Sequence, residues 1–293
     1  MDKPIIQGLW IGSKLSRFEH NSIKSYIKQG YIYHLYTYDH VDNIPYGVII
    51  KDGNEILDKK YIFYYENSIA PFSDLFRYKL LYEKGGIWTD CDIICVKPLP
   101  NNKKHEYIFV AERTILKGAF SSCIKTPPYT CKLKKVLNSF IKTPEKSELM
   151  KVMYEKSMKY REDYLYKKYL LQQNKKTKKN IGLTSYHWNG GSKLLEKTIN
   201  KLGLDMFITE PEFAFPINWW DFKYAFMDIE YIHPSRGWKD GTHIKDILKK
   251  TSNTYLVVIH NGWIKNQGLD KNAVYPYNSL FEKLDRFIHK MVL

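Results

Sequence analysis

Residues 68 to 98 constrain the fold of this 293-residue chain more than any other stretch. Phe72, Leu75, Phe76, Tyr78, Leu80, Leu81 and Tyr82 recur at helical spacing, with Ser68 or Ser73 as candidate start signals and Gly85 as the stop. Gly85-Gly86 then turns the chain into an apolar strand over 87–99 that carries Asp90-Cys91-Asp92 and is closed by Pro98 and Pro100. Carboxylates one residue apart on a regular strand share a face and at its end can address one hard divalent cation. A bare Asp-x-Asp also arises often on ordinary surface strands. On the helix, Ser73, Asp74 and Arg77 lie together, and considered alone Asp74 with Arg77 reads first as an i,i+3 ion pair.

The flanking segments alternate strand and helix. Residues 4–12 are an apolar run closed by Gly12, residues 16–29 a helix stopped at Gly30, and residues 31–39 a second strand with Asp39 at its exit. That rhythm predicts an α/β fold with a parallel sheet, whose ligands meet the carboxyl ends of the strands. Leu9, Trp10, Ile11 and Gly12 fall at such an end, although Trp10 also suits a core. Residues 40–62 are ambiguous, and 107–124 suggest another strand and its return. Residues 132–179 read as a long, mostly helical basic segment, with 10 Lys+Arg against 3 acids in 151–180. It fits an insertion, a lid or a solvated face. Residues 187–203 suggest a Gly-Gly turn opening a helix, 211–220 an aromatic loop, 255–263 a last buried strand ending in His260-Asn261-Gly262-Trp263, and 279–290 a final helix.

A net charge of +15 favours an anionic partner such as a nucleoside diphosphate, a nucleic acid or an acidic membrane surface, unless the Lys-, Asn- and Tyr-rich composition merely reflects an AT-rich genome. Hydrophobic residues at 44%, with 24 Tyr, exclude a disordered chain. Cys91, Cys95, Cys123 and Cys131 lack zinc spacing and read as free thiols in a reducing compartment. Neither a leader nor a membrane span is legible, so a cytoplasmic protein is expected, with peripheral attachment to an anionic membrane left open.

The string Ser73-Asp74-Leu75-Phe76-Arg77 through Gly85-Gly86-Ile87-Trp88-Thr89-Asp90-Cys91-Asp92 resembles the S-D-x-x-R…G-G-x-Y-x-D-x-D signature of the DXD-containing glycosyltransferase family thirty-two, whose distant relatives include the clostridial glucosylating toxins. About twenty contiguous residues match, with weaker agreement in the opening PIIQGLWIG and the closing VIHNGW. The resemblance implies a GT-A fold: a Rossmann-like mixed central sheet flanked by helices, here in one domain over 1–293. Residues 1–125 would form the nucleotide-sugar half, 126–180 a basic helical insertion or lid, and 181–293 the acceptor side. It also implies a metal-dependent hexosyltransferase using Mn²⁺ or Mg²⁺, a UDP-sugar or GDP-sugar donor and a glycan acceptor, with retention of configuration and polysaccharide biosynthesis as the setting.

Carried over position by position, Asp90 and Asp92 match the metal-binding carboxylates, with Asp92 the direct ligand. Asp74 and Arg77 match residues that hold the donor sugar and phosphate, Trp10 matches an aromatic that stacks on the base, and Ser73 and Gly12 join the donor site. His260 matches a further metal or diphosphate contact, although a histidine at a strand end is often structural. Asp74, Arg77 and Asp92 are thus the catalytic candidates. The opening strand, the exit at Asp39 and Asn189-Gly190-Gly191 depart from the family pattern.

Glu210, Glu212 and Asp221 lie near the aromatic loop, but none declares itself a general base. Phe213, Phe215, Trp219 and Trp220 suit either a core or a sugar platform. Two other functions compete. One is a basic protein binding nucleic acid or a membrane surface, but no nucleic-acid module is recognisable and no nucleic-acid partner is expected. The other is a catalytically idle glycan-binding relative, against which Asp74, Arg77, Asp90 and Asp92 argue.

Overall fold

The computed structural model describes residues 3–100, 106–112, 135–173, 188–217, 219–232, 242–249 and 251–290. Cys123, Cys131, the start and end of the 126–180 segment and the side chains of Trp219 and Trp220 lie outside the described residues. In chain order the elements are β1 (Ile6–Leu9), α1 (Arg17–Lys28), β2 (Tyr33–Thr37), β3 (Val48–Asp52), α2 (Ala70–Lys84), β4 (Gly86–Thr89), β5 (Ile93–Cys95), β6 (Ile108–Glu112) and β7 (Lys135–Thr143). The second half adds α3 (Glu148–Gln172), α4 (Ser192–Lys201), β8 (Tyr231–Ile232), β9 (Thr242–His243), α5 (Ile244–Ile247), β10 (Leu256–Val258), α6 (Asn261–Asn266) and α7 (Leu280–His289), with short 3₁₀ turns between.

Six strands form the central sheet in the order β3-β2-β1-β4-β7-β6. The first four run parallel, whereas β7 is antiparallel to both β4 and β6. This mixed sheet flanked by helices is the expected Rossmann-like α/β arrangement. Strand order reverses at β1 and β4, and crevices in such sheets open at the carboxyl ends of the strands beside that reversal. Trp10 follows β1 and Asp90 follows β4, so the topology sets them side by side.

The pleat divides the core. Ile87 joins a cluster with Ile6, Tyr33 and Leu35 on one face, while Trp88 joins Phe72, Leu75 and Phe76 of α2 on the other. Pro71 lies in the first turn of α2, and Gly85 ends it with φ of 59°, a conformation that disfavours any side chain. A β-carbon on Gly85 would lie 2.5 Å from the Glu145 backbone nitrogen.

Two expectations are corrected here. The strand read over 87–99 is two strands in different sheets: β4 ends at Thr89, and β5 leaves to pair antiparallel with β10. Asp90 and Asp92 therefore sit on the turn between them rather than alternating along one regular strand. The basic segment read as helical from Lys132 contains β7, a core strand with Val136 and Phe140 fully buried; only its later part is the helix α3. The flanking lysines dominate that stretch of sequence, whereas pairing on both edges of β7 decides its conformation. Among the described residues no helix is long and apolar enough to cross a membrane.

Candidate active site

A cavity of about 870 Å³ opens at the β1/β4 crevice. Trp10, Ser73, Arg77, Asp90 and Asp92 all line it, and a turn at Glu66-Asn67 stands at its side. Sequence had separated these residues by as many as 82 positions. Its size falls in the usual range for small-molecule sites.

Arg77 organises the floor. Its guanidinium is 3% exposed and lies 3.2 Å from Asp74 on its own helix and 3.2 Å from Asp90 on the turn. Nη2 donates to the Ser73 hydroxyl at 3.1 Å, Nη1 donates to the Asn138 carbonyl, and the group stacks over Trp88 at 4.9 Å. The i,i+3 ion pair is thus real, and the same arginine also reaches the Asp-Cys-Asp turn. A planar fork of five donors is what allows one side chain to do both.

Asp74 itself lies behind the cavity rather than on its lining. One oxygen accepts from Asn138 Nδ2 at 2.7 Å and the other from Trp188 Nε1 at 2.7 Å. Burial raises its pKa to about 6, against the lowering effects of Arg77, Trp188 and Asn138. Asp90 is oriented by Trp88, whose indole nitrogen donates to it at 2.8 Å, and by its own backbone N–H, which donates to Ser139. Burial raises the pKa of Asp90 too.

Asp92 is held from the far sheet. Because β5 and β10 pair antiparallel, the residues leaving β10 lie opposite Asp92: Ile259 N–H donates to its carbonyl at 2.8 Å, and Asn261 N–H to its carboxylate at 3.2 Å. Burial and then the neighbouring Asp90 charge raise Asp92 to about 7. Both carboxylates keep an open side toward the cavity.

Two oxygen-donor carboxylates pushed toward protonation beside an open cavity fit a hard divalent cation, which would hold both ionised at neutral pH. Among the described residues no three His, Cys, Asp or Glu side chains gather into a metal-binding group. His260 does not line the cavity, although Asn261 beside it does. Its backbone is left-handed, its ring packs 4.9 Å from Phe222 and 5.6 Å from Phe215, its Nε2 is buried without a partner, and burial lowers its pKa to about 4.

Trp10 flanks the cavity with its indole N–H buried and unpartnered, and Gly12 backs onto it so closely that a β-carbon there would meet Nε1 at 3.1 Å. Phe213 and Phe215 are core residues, and Asp221 is buried.

Sequence reasoning missed Asn138 and Trp188, which reach Asp74 from β7 and from the segment before α4, and Glu19 and Lys271, which meet beside Asp92. A capping-box string, Ser16-x-x-Glu19, was legible for Glu19. Nothing local marked the others.

A family model described as capsular polysaccharide synthesis protein matches residues 18–183, more than half of the chain. The chain belongs to that family. The matched span holds α2, the Gly-Gly turn and both aspartates, so the family match and the cavity share their central residues. No curated protein matches the chain. A solved structure described as PaToxG Glycosyltransferase is similar at 17% identity, covering 69% of this chain and 72% of that one with a TM-score of 0.42. A likeness that remote transfers no chemistry to this member of the capsular family.

Proposed function

We propose that this capsular polysaccharide synthesis protein is a glycosyltransferase that moves a hexose from a nucleotide sugar, with UDP as the expected nucleotide, to a glycan acceptor with retention of configuration. The observation that carries this reading is the single cavity where Asp90, Asp92, Arg77, Ser73 and Trp10 meet at the reversal of strand order. Asp90 and Asp92 would hold Mn²⁺ or Mg²⁺, which when bound supplies positive charge against the diphosphate leaving group.

The chain's own groups do the rest. Trp88 and Arg77 fix the Asp90 carboxylate, and Asn261 fixes that of Asp92, so neither must reorganise when a donor arrives. Arg77, already held by Asp74, Ser73 and Asn138, presents a preoriented cation to the sugar and phosphate. Trp10 offers a flat face to the base. The bond between the sugar and the diphosphate oxygen breaks as the acceptor oxygen bonds to the same face of the sugar, and the acceptor proton passes to the departing phosphate oxygen.

Incubation with a panel of UDP- and GDP-sugars and Mn²⁺, reading donor hydrolysis, tests the proposal. Hydrolysis of at least one donor, reduced at least about a hundredfold in Asp92→Ala, is the expected result. A protein that neither binds nor hydrolyses any donor, with Asp92→Ala indistinguishable from the parent, would overturn it.

A further inference from the structure

Glu19 is a charged side chain buried within the fold. Only 1% of it is exposed, yet it lies on α1, close enough to the Asp-Cys-Asp turn for its charge to raise Asp92. Its two oxygens divide the work. Oε2 accepts from the Ser16 backbone N–H at 2.9 Å and from the Ser16 hydroxyl, closing the capping box of α1. Oε1 faces the other way and accepts from Lys271 Nζ at 2.5 Å and from Asn261 Nδ2 at 3.3 Å.

Those two donors belong to the segment that returns from β10 through α6, and both line the cavity. Behind the cavity the segment is anchored by Ile264, fully buried, and by Trp263 and Leu269 packed against the same core cluster, but its cavity-facing side is open. Gly262, Lys265 and Gly268, which also face the cavity, are exposed. Asn261 touches Glu19 with its side chain and Asp92 with its backbone, so one buried carboxylate is linked both to the Asp-Cys-Asp turn and to the returning segment. Lys271 spends one of three ammonium donors on Glu19, and its side chain remains 29% exposed.

We propose that Glu19 is a positioning residue for the donor: through Asn261 and Lys271 it seats the 261–271 segment against the Asp90–Asp92 turn, leaving the Lys271 ammonium facing the place of an anionic diphosphate. This rests on the nucleotide-sugar reading and assigns the second wall of that site. The first wall, built from α2 and the turn, grips sugar and cation. The second neutralises phosphate charge from the opposite side, with a carboxylate on α1 orienting its Asn261 and Lys271 side chains.

Glu19→Gln separates this role from a purely structural one, because glutamine also closes a capping box while losing the charge that holds Lys271. Binding of UDP with Mn²⁺ by calorimetry, together with donor KM and kcat, is measured for Glu19→Gln, Lys271→Met, the double variant and Lys271→Arg. Each of the first two is expected to raise the UDP Kd and the donor KM roughly tenfold, with kcat changed less than about twofold. The double variant falls no further than Lys271→Met alone, and Lys271→Arg recovers most of the affinity. Unfolding midpoints close to the parent's confirm that the capping box survives.

Glu19→Gln binding UDP like the parent, or losses in the two single variants that multiply in the double, would overturn the inference while leaving the donor reading intact. A parent that binds no nucleoside diphosphate with Mn²⁺ would overturn both.

Discussion

Arg77 carries the largest electrostatic burden of any residue at the site, since one guanidinium serves two carboxylates in a water-poor setting. Removing one partner from a buried ion pair usually costs about 3–5 kcal/mol, because the remaining charge is left uncompensated. Arg77→Met is therefore expected to lower the unfolding free energy by about 3 kcal/mol, read from urea melts, as well as abolishing donor binding. Arg77→Lys keeps the charge but loses the fork, so stability recovers in part and donor binding does not. Asp74 supplies a pH signature. An acid raised to about 6 in the folded chain contributes stability that is fully present below its unfolded value near 4, and that contribution is lost as pH climbs through 6. Asp92, raised in the same direction, has the same sign. Asp74→Asn should flatten the fall in urea midpoint of the metal-free protein between pH 4 and pH 7.5. An unchanged slope would show that its carboxyl is not strained by burial.

Among the elements, α2 and the turn after it deliver most of the site. Phe76 packs against Tyr36 and Trp88, which fixes the rotation of the helix and turns Ser73 and Arg77 toward the cavity. The exit is equally constrained. Gly85 at φ 59° and Gly86 at φ 87° reverse the chain within two residues, against the Glu145 backbone on one side and the Ile5 carbonyl and Gln7 amide on the other. Gly85→Ala must move backbone, since its β-carbon would lie 2.5 Å from a main-chain nitrogen. A loss of about 2 kcal/mol or more in the urea melt is expected, together with weaker cation binding, because β4 would no longer present Asp90 in register. The capping box of α1 acts on a smaller scale. Ser16→Ala should cost about 1 kcal/mol without touching Lys271, which separates the capping oxygen of Glu19 from its cavity-side oxygen.

At the scale of the molecule, the site closes only because the chain returns to its own beginning. Antiparallel pairing of β10 with β5 brings residues 259–261 to Asp92, and α7 packs on α1, where Arg17 meets Glu282 at 2.8 Å and Asp285 at 3.1 Å. Hydrogen exchange should therefore show backbone amides of 261–271 gaining protection when UDP and Mn²⁺ bind, while those of β1 and β2 stay unchanged; no change in 261–271 would place the donor away from the returning wall. The sequence by itself determined the alternating α/β pattern, the helix over α2, the Gly-Gly reversal and the nearness of Asp90 to Asp92, because each is written in local periodicity or in adjacency along the chain. It also placed Trp10 at the carboxyl end of a first strand. It did not reveal that the Asp-x-Asp leaves its sheet between β4 and β5, nor that β7 is a core strand hidden among lysines, since both follow from which strands accept hydrogen bonds from which neighbours. The partners of Asp74 and Asp92, namely Asn138, Trp188 and Asn261, and the Glu19–Lys271 pair were likewise decided by tertiary structure alone: contacts between residues 64 to 252 positions apart leave no local period, and only closure of the whole chain brings them within hydrogen-bonding distance.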